Sequence, residues 1–140
     1  MKVKIVYALI FLVTALHIAA CRGTTSSGGD KLIKSAKSGD MTVTLSNSTG
    51  ELKRGENELK VTFSDASGKP IDVGAASLNF HMAGMGTMAE MNDKATLTTT
   101  ETPGKYNARV NVEMAGTWEA QVKYQGQYGT GQVRMSVQTK

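Results

Sequence analysis

The segment Leu59-Lys60-Val61-Thr62-Phe63, LKVTF, sets an apolar side chain at every second position and a polar one between. A period of two belongs to an extended strand with one dry and one wet face, because successive side chains leave the pleat on opposite sides. An amphipathic helix needs apolar residues three and four apart instead. The alternation continues outward in both directions. Upstream it runs through Met41, Val43 and Leu45. Downstream it runs through Leu78, Phe80 and Met82, through Ala95, Leu97 and Thr99, and through Tyr106, Ala108, Val110 and Val112. Trp118, Ala120, Val122 and Tyr124 repeat it, as do Val133, Met135 and Val137. Turn formers separate the runs: Ser48-Thr49-Gly50, Asp65 to Pro70, Thr102-Pro103-Gly104 and Gln125-Gly126-Gln127,. Seven short, half-wet strands in about a hundred residues predict an all-β domain, an immunoglobulin-like antiparallel β-sandwich spanning Asp40 to Lys140. An open barrel is the structural alternative. Trp118 is the expected central core side chain.

The N-terminal part of the 140-residue chain has a different character. Lys2 and Lys4 precede the apolar run Ile5 to Leu16, followed by Ile18-Ala19-Ala20-Cys21. Charged, apolar and small-residue regions in that order form an export signal. Even carried to Ala20, the run is shorter than the roughly 17–25 residues that span a bilayer as a helix. Ile18-Ala19-Ala20-Cys21 is similar to a bacterial lipoprotein cleavage site. That resemblance implies a signal peptide over 1–20 and a mature chain anchored to a membrane by acyl chains, palmitate among them, on Cys21. It also accounts for the only cysteine, which cannot form an internal disulfide,. Arg22 does not match an inner-membrane retention signal, so a Gram-negative cell would place the protein on the outer membrane, facing the periplasm. Residues 21–39, rich in Ser, Thr, Gly and Lys, are expected to be a flexible tether,. Its one apolar pair, Leu32-Ile33, is available to seed a short helix or cover a domain edge.

Charge excludes one class of partner. Without Lys2 and Lys4 the chain carries 14 basic against 12 acidic residues, and no basic run is interleaved with aromatics, so nucleic acid is not expected,. Catalysis is not expected either. His81 is the only histidine outside the signal segment, no free cysteine remains beside a lipidated Cys21, and no phosphate-cradling loop opens a helix,. Glu90 and Asp93 are expected to be solvated charges.

Four of the eight methionines, Met82, Met85, Met88 and Met91, recur at every third residue directly after His81. Met41, Met82 and Met135 fall on the inward alternation and are expected in the core, where Met is an adaptable filler. Met85, Met88 and Met91 lie among Gly84 and Gly86, each of which costs roughly 1 kcal/mol in a helix, and are expected on a loop leaving a strand, exposed or half-exposed. A thioether is soft, neutral and not titratable, so it selects Cu(I) or Ag(I) over harder ions. His81 offers a neutral imidazole beside the sulfurs.

Three segments extend the reading. Met82-Ala83-Gly84-Met85-Gly86, Pro103-Gly104-Lys105-Tyr106 and Met114-Ala115-Gly116-Thr117-Trp118 follow one another in an order and spacing that resembles the YtkA-like, or FixH-like, extracytoplasmic domains. Ala83 stands where such domains often carry proline. The resemblance covers the chain from about Thr42 onward and implies an immunoglobulin-like sandwich associated with copper handling. It adds Met114 as a further ligand and Trp118 as a cation–π cover for the ion, provided the strands bearing His81 and Trp118 are neighbours. The resulting expectation is a lipid-anchored Cu(I) or Ag(I) protein with His81, Met82, Met85 and Met88 as ligands and Met91 and Met114 in reserve. It would buffer the ion or pass it to a transporter or metalloenzyme. The competing expectation is an envelope adaptor without metal, docking a membrane protein through the same methionine loop.

Overall fold

The computed structural model describes residues 29–140. The signal segment and Cys21 lie outside these residues. Nine strands make up the fold: β1 (Lys31–Ser38), β2 (Met41–Asn47), β3 (Gly55–Ser64), β4 (Ala75–Met82), β5 (Met91–Lys94), β6 (Thr96–Thr99), β7 (Lys105–Val112), β8 (Gly116–Gly126) and β9 (Gly129–Thr139). They form a five-stranded sheet, in the order β1-β2-β3-β7-β6, and a four-stranded sheet, β5-β4-β8-β9. Every ladder is antiparallel. The sheets stay open at their edges, which is a sandwich and not a barrel. Among the described residues no helix is long and apolar enough to cross a membrane.

The alternation in LKVTF is realised directly. Leu59, Val61 and Phe63 face the core, with Val43, Leu45, Leu78, Phe80, Val110, Val112, Trp118 and Val122 packed around them. Phe63 meets Tyr106 and Tyr124 edge-on, at ring centroid distances of 5.7 and 5.9 Å. Such edge contacts suit the positive rim and negative face of aromatic rings.

Two strands go beyond the expected seven. β1 occupies part of the segment expected to be tether, so the sheet begins at Lys31 and not near Asp40. Its sequence KLIKSAKS has almost no hydrophobic alternation, because β1 is an edge strand whose only apolar side chains packed against the core, in part, are Ile33 and Ala36. The chain is recruited by backbone pairing to β2, with an irregular step between Leu32 and Lys34, and by the Ser38 hydroxyl, 2.9 Å from Tyr124 Oη of the facing sheet. β5 and β6 form one extended run that changes sheets at Ala95, whose N–H donates to the Leu78 carbonyl. Strands that switch layers in this way make the corners of sandwiches.

Strand direction sorts the loops into two groups. One end holds the start of β1, the β2–β3 connection, the β4–β5 hairpin, the β7–β8 connection and the C-terminus. There Lys140 N–H donates to the Leu52 carbonyl and Arg54 N–H to the Lys140 carbonyl. The opposite end holds the β1–β2, β3–β4, β6–β7 and β8–β9 turns.

Candidate metal centre: the methionine hairpin

β4 and β5 pair from Asn79↔Lys94 to Met82↔Met91. The ladder then opens for two residues on each arm and closes again at its tip. Met85 N–H donates to the Met88 carbonyl at 3.1 Å, and Met88 N–H returns the bond at 2.9 Å. The register does not slip across the gap, so Met82–Met91 and Met85–Met88 are successive cross-strand pairs of one hairpin. Gly86 turns the chain at φ +60°, as a two-residue hairpin loop requires,. At Gly84 the arms approach more closely than a side chain allows: a β-carbon there would stand 2.9 Å from the Met88 carbonyl oxygen and 3.1 Å from the Glu90 nitrogen.

The two pairs sit in different surroundings. Met82 is 8 % exposed, and its methyl group packs 3.0 Å from where a β-carbon on Gly116 would stand. Met91, its partner, is half-buried against the core. Met85 is 70 % exposed and Met88 45 %. Residues directly opposite in a hydrogen-bonded antiparallel pair have Cα atoms about 5.5 Å apart and side chains on the same face, so the two exposed thioethers stand side by side.

His81 belongs to the outer face. It pairs with Glu119 on β8 and Asn92 on β5, and its Nε2 lies 3.3 Å from Glu90 Oε2. Glu119 itself is engaged by Gln121 Nε2 at 2.7 Å and approached by Arg134 Nε at 3.8 Å. Strand rise separates His81 from Met85 by about 13 Å along β4 and its extension. The structure therefore does not bring the imidazole beside the tip sulfurs; a carboxylate is its present neighbour.

Trp118 takes the inner face. β4 and β8 are neighbours, but the register pairs His81 with Glu119, one residue from Trp118, and adjacent residues on a strand face opposite ways,. The indole is fully buried, and its Nε1–H donates to the Met114 carbonyl at 3.0 Å. It is thus a core side chain closing the β7–β8 connection, not a lid over His81. The expected ligand set divides accordingly. Met85 and Met88 form an exposed pair at the tip, His81 lies on the outer face, Met82 is buried in the core, and Met91 and Met114 pack against it half-buried.

Asp93 corrects another expectation. It is 8 % exposed, opposite Phe80, and its Oδ2 accepts the Glu113 N–H at 3.0 Å. A carboxylate on the inner face of β5 thus ties the β7–β8 connection to the hairpin. Glu90 remains an exposed charge. Among the described residues, no three His, Cys, Asp or Glu side chains gather as a metal set. Sulfur is the donor type the hairpin offers. A shallow cleft of about 600 Å³ lies elsewhere, on the five-stranded sheet, lined among others by the Lys60–Asp30 and Arg109–Glu58 ion pairs.

The model of one protein family, described as YtkA-like, matches residues 35–123. The chain belongs to the YtkA-like family. The match takes in the methionine hairpin, the Pro103-Gly104 turn and the Met114–Trp118 segment, and it begins inside β1, in keeping with a domain that starts before Met41. No curated protein and no solved structure matches the chain.

Proposed function

We propose that this YtkA-like domain binds a soft monovalent ion, Cu(I) or Ag(I), outside the cytoplasm through Met85 and Met88, while held to a membrane by lipid on Cys21. The observation that carries the reading is the tip of the hairpin. Two thioethers are paired by backbone hydrogen bonds, are exposed to solvent and lie outside the buried core. Apolar side chains gain stability by leaving water, so an exposed pair held in register calls for another role. Neutral sulfur ligands suit Cu(I); they stay unprotonated in acid and, unlike thiols, cannot be tied up as disulfides in an oxidising compartment. Two exposed ligands leave the ion open to exchange, which fits buffering or transfer to a transporter or metalloenzyme better than permanent storage. His81, Met82, Met91 and Met114 join only if the hairpin bends toward them. The second reading keeps the same exposure and assigns it to docking on a membrane protein without metal.

The discriminating experiment is an anaerobic Cu(I) titration of residues 22–140 against a chromophoric chelator, alongside Met85→Ile/Met88→Ile. The substitution keeps the apolar area and removes sulfur. One-to-one uptake that disappears in the double variant supports the thioether site. Absence of competition even with a weak chelator overturns it in favour of docking.

A further inference from the structure

From the exposure pattern and pairing of the methionines we infer that Met85 and Met88 form a paired oxidation site, at which sulfoxidation by a hydroperoxide releases the soft ion without unfolding the domain. The release rests on the thioether reading above; the site selectivity stands on the structure by itself.

Seven methionines lie in the described residues, and they fall into three tiers. Met41, Met82 and Met135 are buried, Met91 and Met114 are half-buried against the core, and Met85 and Met88 are exposed. Thioether oxidation follows access of the oxidant to sulfur. A sulfur lone pair attacks one peroxide oxygen, the O–O bond breaks and an S–O bond forms. Sulfur loses two electrons, and the departing oxygen takes them and a proton, leaving as water or an alcohol. The order of attack is then Met85 and Met88, next Met91 and Met114, and last the three in the core.

The fold isolates the consequence. Both bonds that close the tip are made by backbone N–H and carbonyl groups, and neither involves a side chain. Met85 and Met88 are outside the buried core. Converting two solvated thioethers to polar sulfoxides therefore costs no core contact, whereas the same change at Met82 or Met135 would put a polar group among apolar ones. What changes is donor chemistry: a soft sulfur ligand becomes a hard oxygen-bearing group with poor affinity for Cu(I).

The test exposes residues 22–140, which contain every described strand, to graded hydrogen peroxide, then maps sulfoxides by mass spectrometry. Aliquots are taken for Cu(I) competition and circular dichroism. The inference expects Met85 and Met88 to oxidise at least about ten-fold faster than Met41, Met82 and Met135, with Cu(I) retention falling to that of Met85→Ile/Met88→Ile and the strand signal unchanged. Equal rates at all sites, or loss of the strand signal in step with the first two oxidations, overturns the paired site. Selective oxidation with Cu(I) retained overturns the release. Should the unoxidised chain bind no Cu(I) while the selectivity holds, the thioether reading fails and the oxidation site survives it.

Discussion

Single residues decide what the hairpin and its surroundings can do. Gly84 permits the close crossing of the two arms, because any β-carbon there meets backbone of the returning arm. Gly84→Ala should push the arms apart, break the Met85–Met88 bonds and weaken Cu(I) retention by about ten-fold, the ordering entropy of a loosened tip having to be recovered on binding. Competition titration measures this, and an unchanged affinity would mean that the sulfurs work without the backbone clasp. Trp118 poses the complementary case. Trp118→Phe leaves the Met114 carbonyl without its 3.0 Å donor and opens space in the core, so urea unfolding should report a loss of about 2–4 kcal/mol,. Cu(I) retention at the tip should not change, because the indole faces the core and the tip pair lies beyond it. A loss of retention in a folded Trp118→Phe protein would return the indole to the site.

Elements show where sequence and structure part. β2, β3, β4, β7, β8 and β9 were legible because each sends three or more apolar side chains inward at a period of two. β1 and β5 were not. β1 spends its side chains on solvent and earns its place through the backbone, and β5, MNDK, directs Met91 and Asp93 inward, so its inner face does not look apolar. Exposure of Met85 and Met88 was visible in the neighbouring glycines, but their pairing, and the opposite facing of His81 and Trp118, depend on register, which no single strand contains. The hidden strand has a testable role. A chain starting at Asp40 lacks β1, leaves the β2 edge unpaired and uncovers core contacts of Ile33 and Ala36. It should lose at least about 2 kcal/mol in urea unfolding and self-associate in sedimentation, as exposed edges do. A monomer of unchanged stability would demote β1 to an ornament of the sheet.

At the scale of the whole molecule, each end of the sandwich is clasped by a carboxylate on its surface. At the hairpin end, the Lys140 ammonium, by hydrogen bond and by charge, holds the Glu51 carboxyl below its ordinary value of 4.5 and ties the C-terminus to the β2–β3 connection. At the other end, the Ser67 hydroxyl and the Lys69 N–H hold Asp65 below its ordinary value of 3.8, closing the β3–β4 turn. A carboxyl whose value is lowered by folding adds stability above its ordinary range, and that contribution is lost as pH falls through the lowered value. Both clasps should therefore hold at neutral pH and fail progressively as pH falls below the ordinary carboxylate range,. Glu51→Gln and Asp65→Asn should each lower the urea midpoint at pH 7 and have little effect at pH 2. Their effects should add, since the two ends are separated by the length of a strand and share no partner. A double variant whose midpoint falls between pH 7 and pH 2 as steeply as that of the unaltered protein would show that neither clasp carries the acid sensitivity.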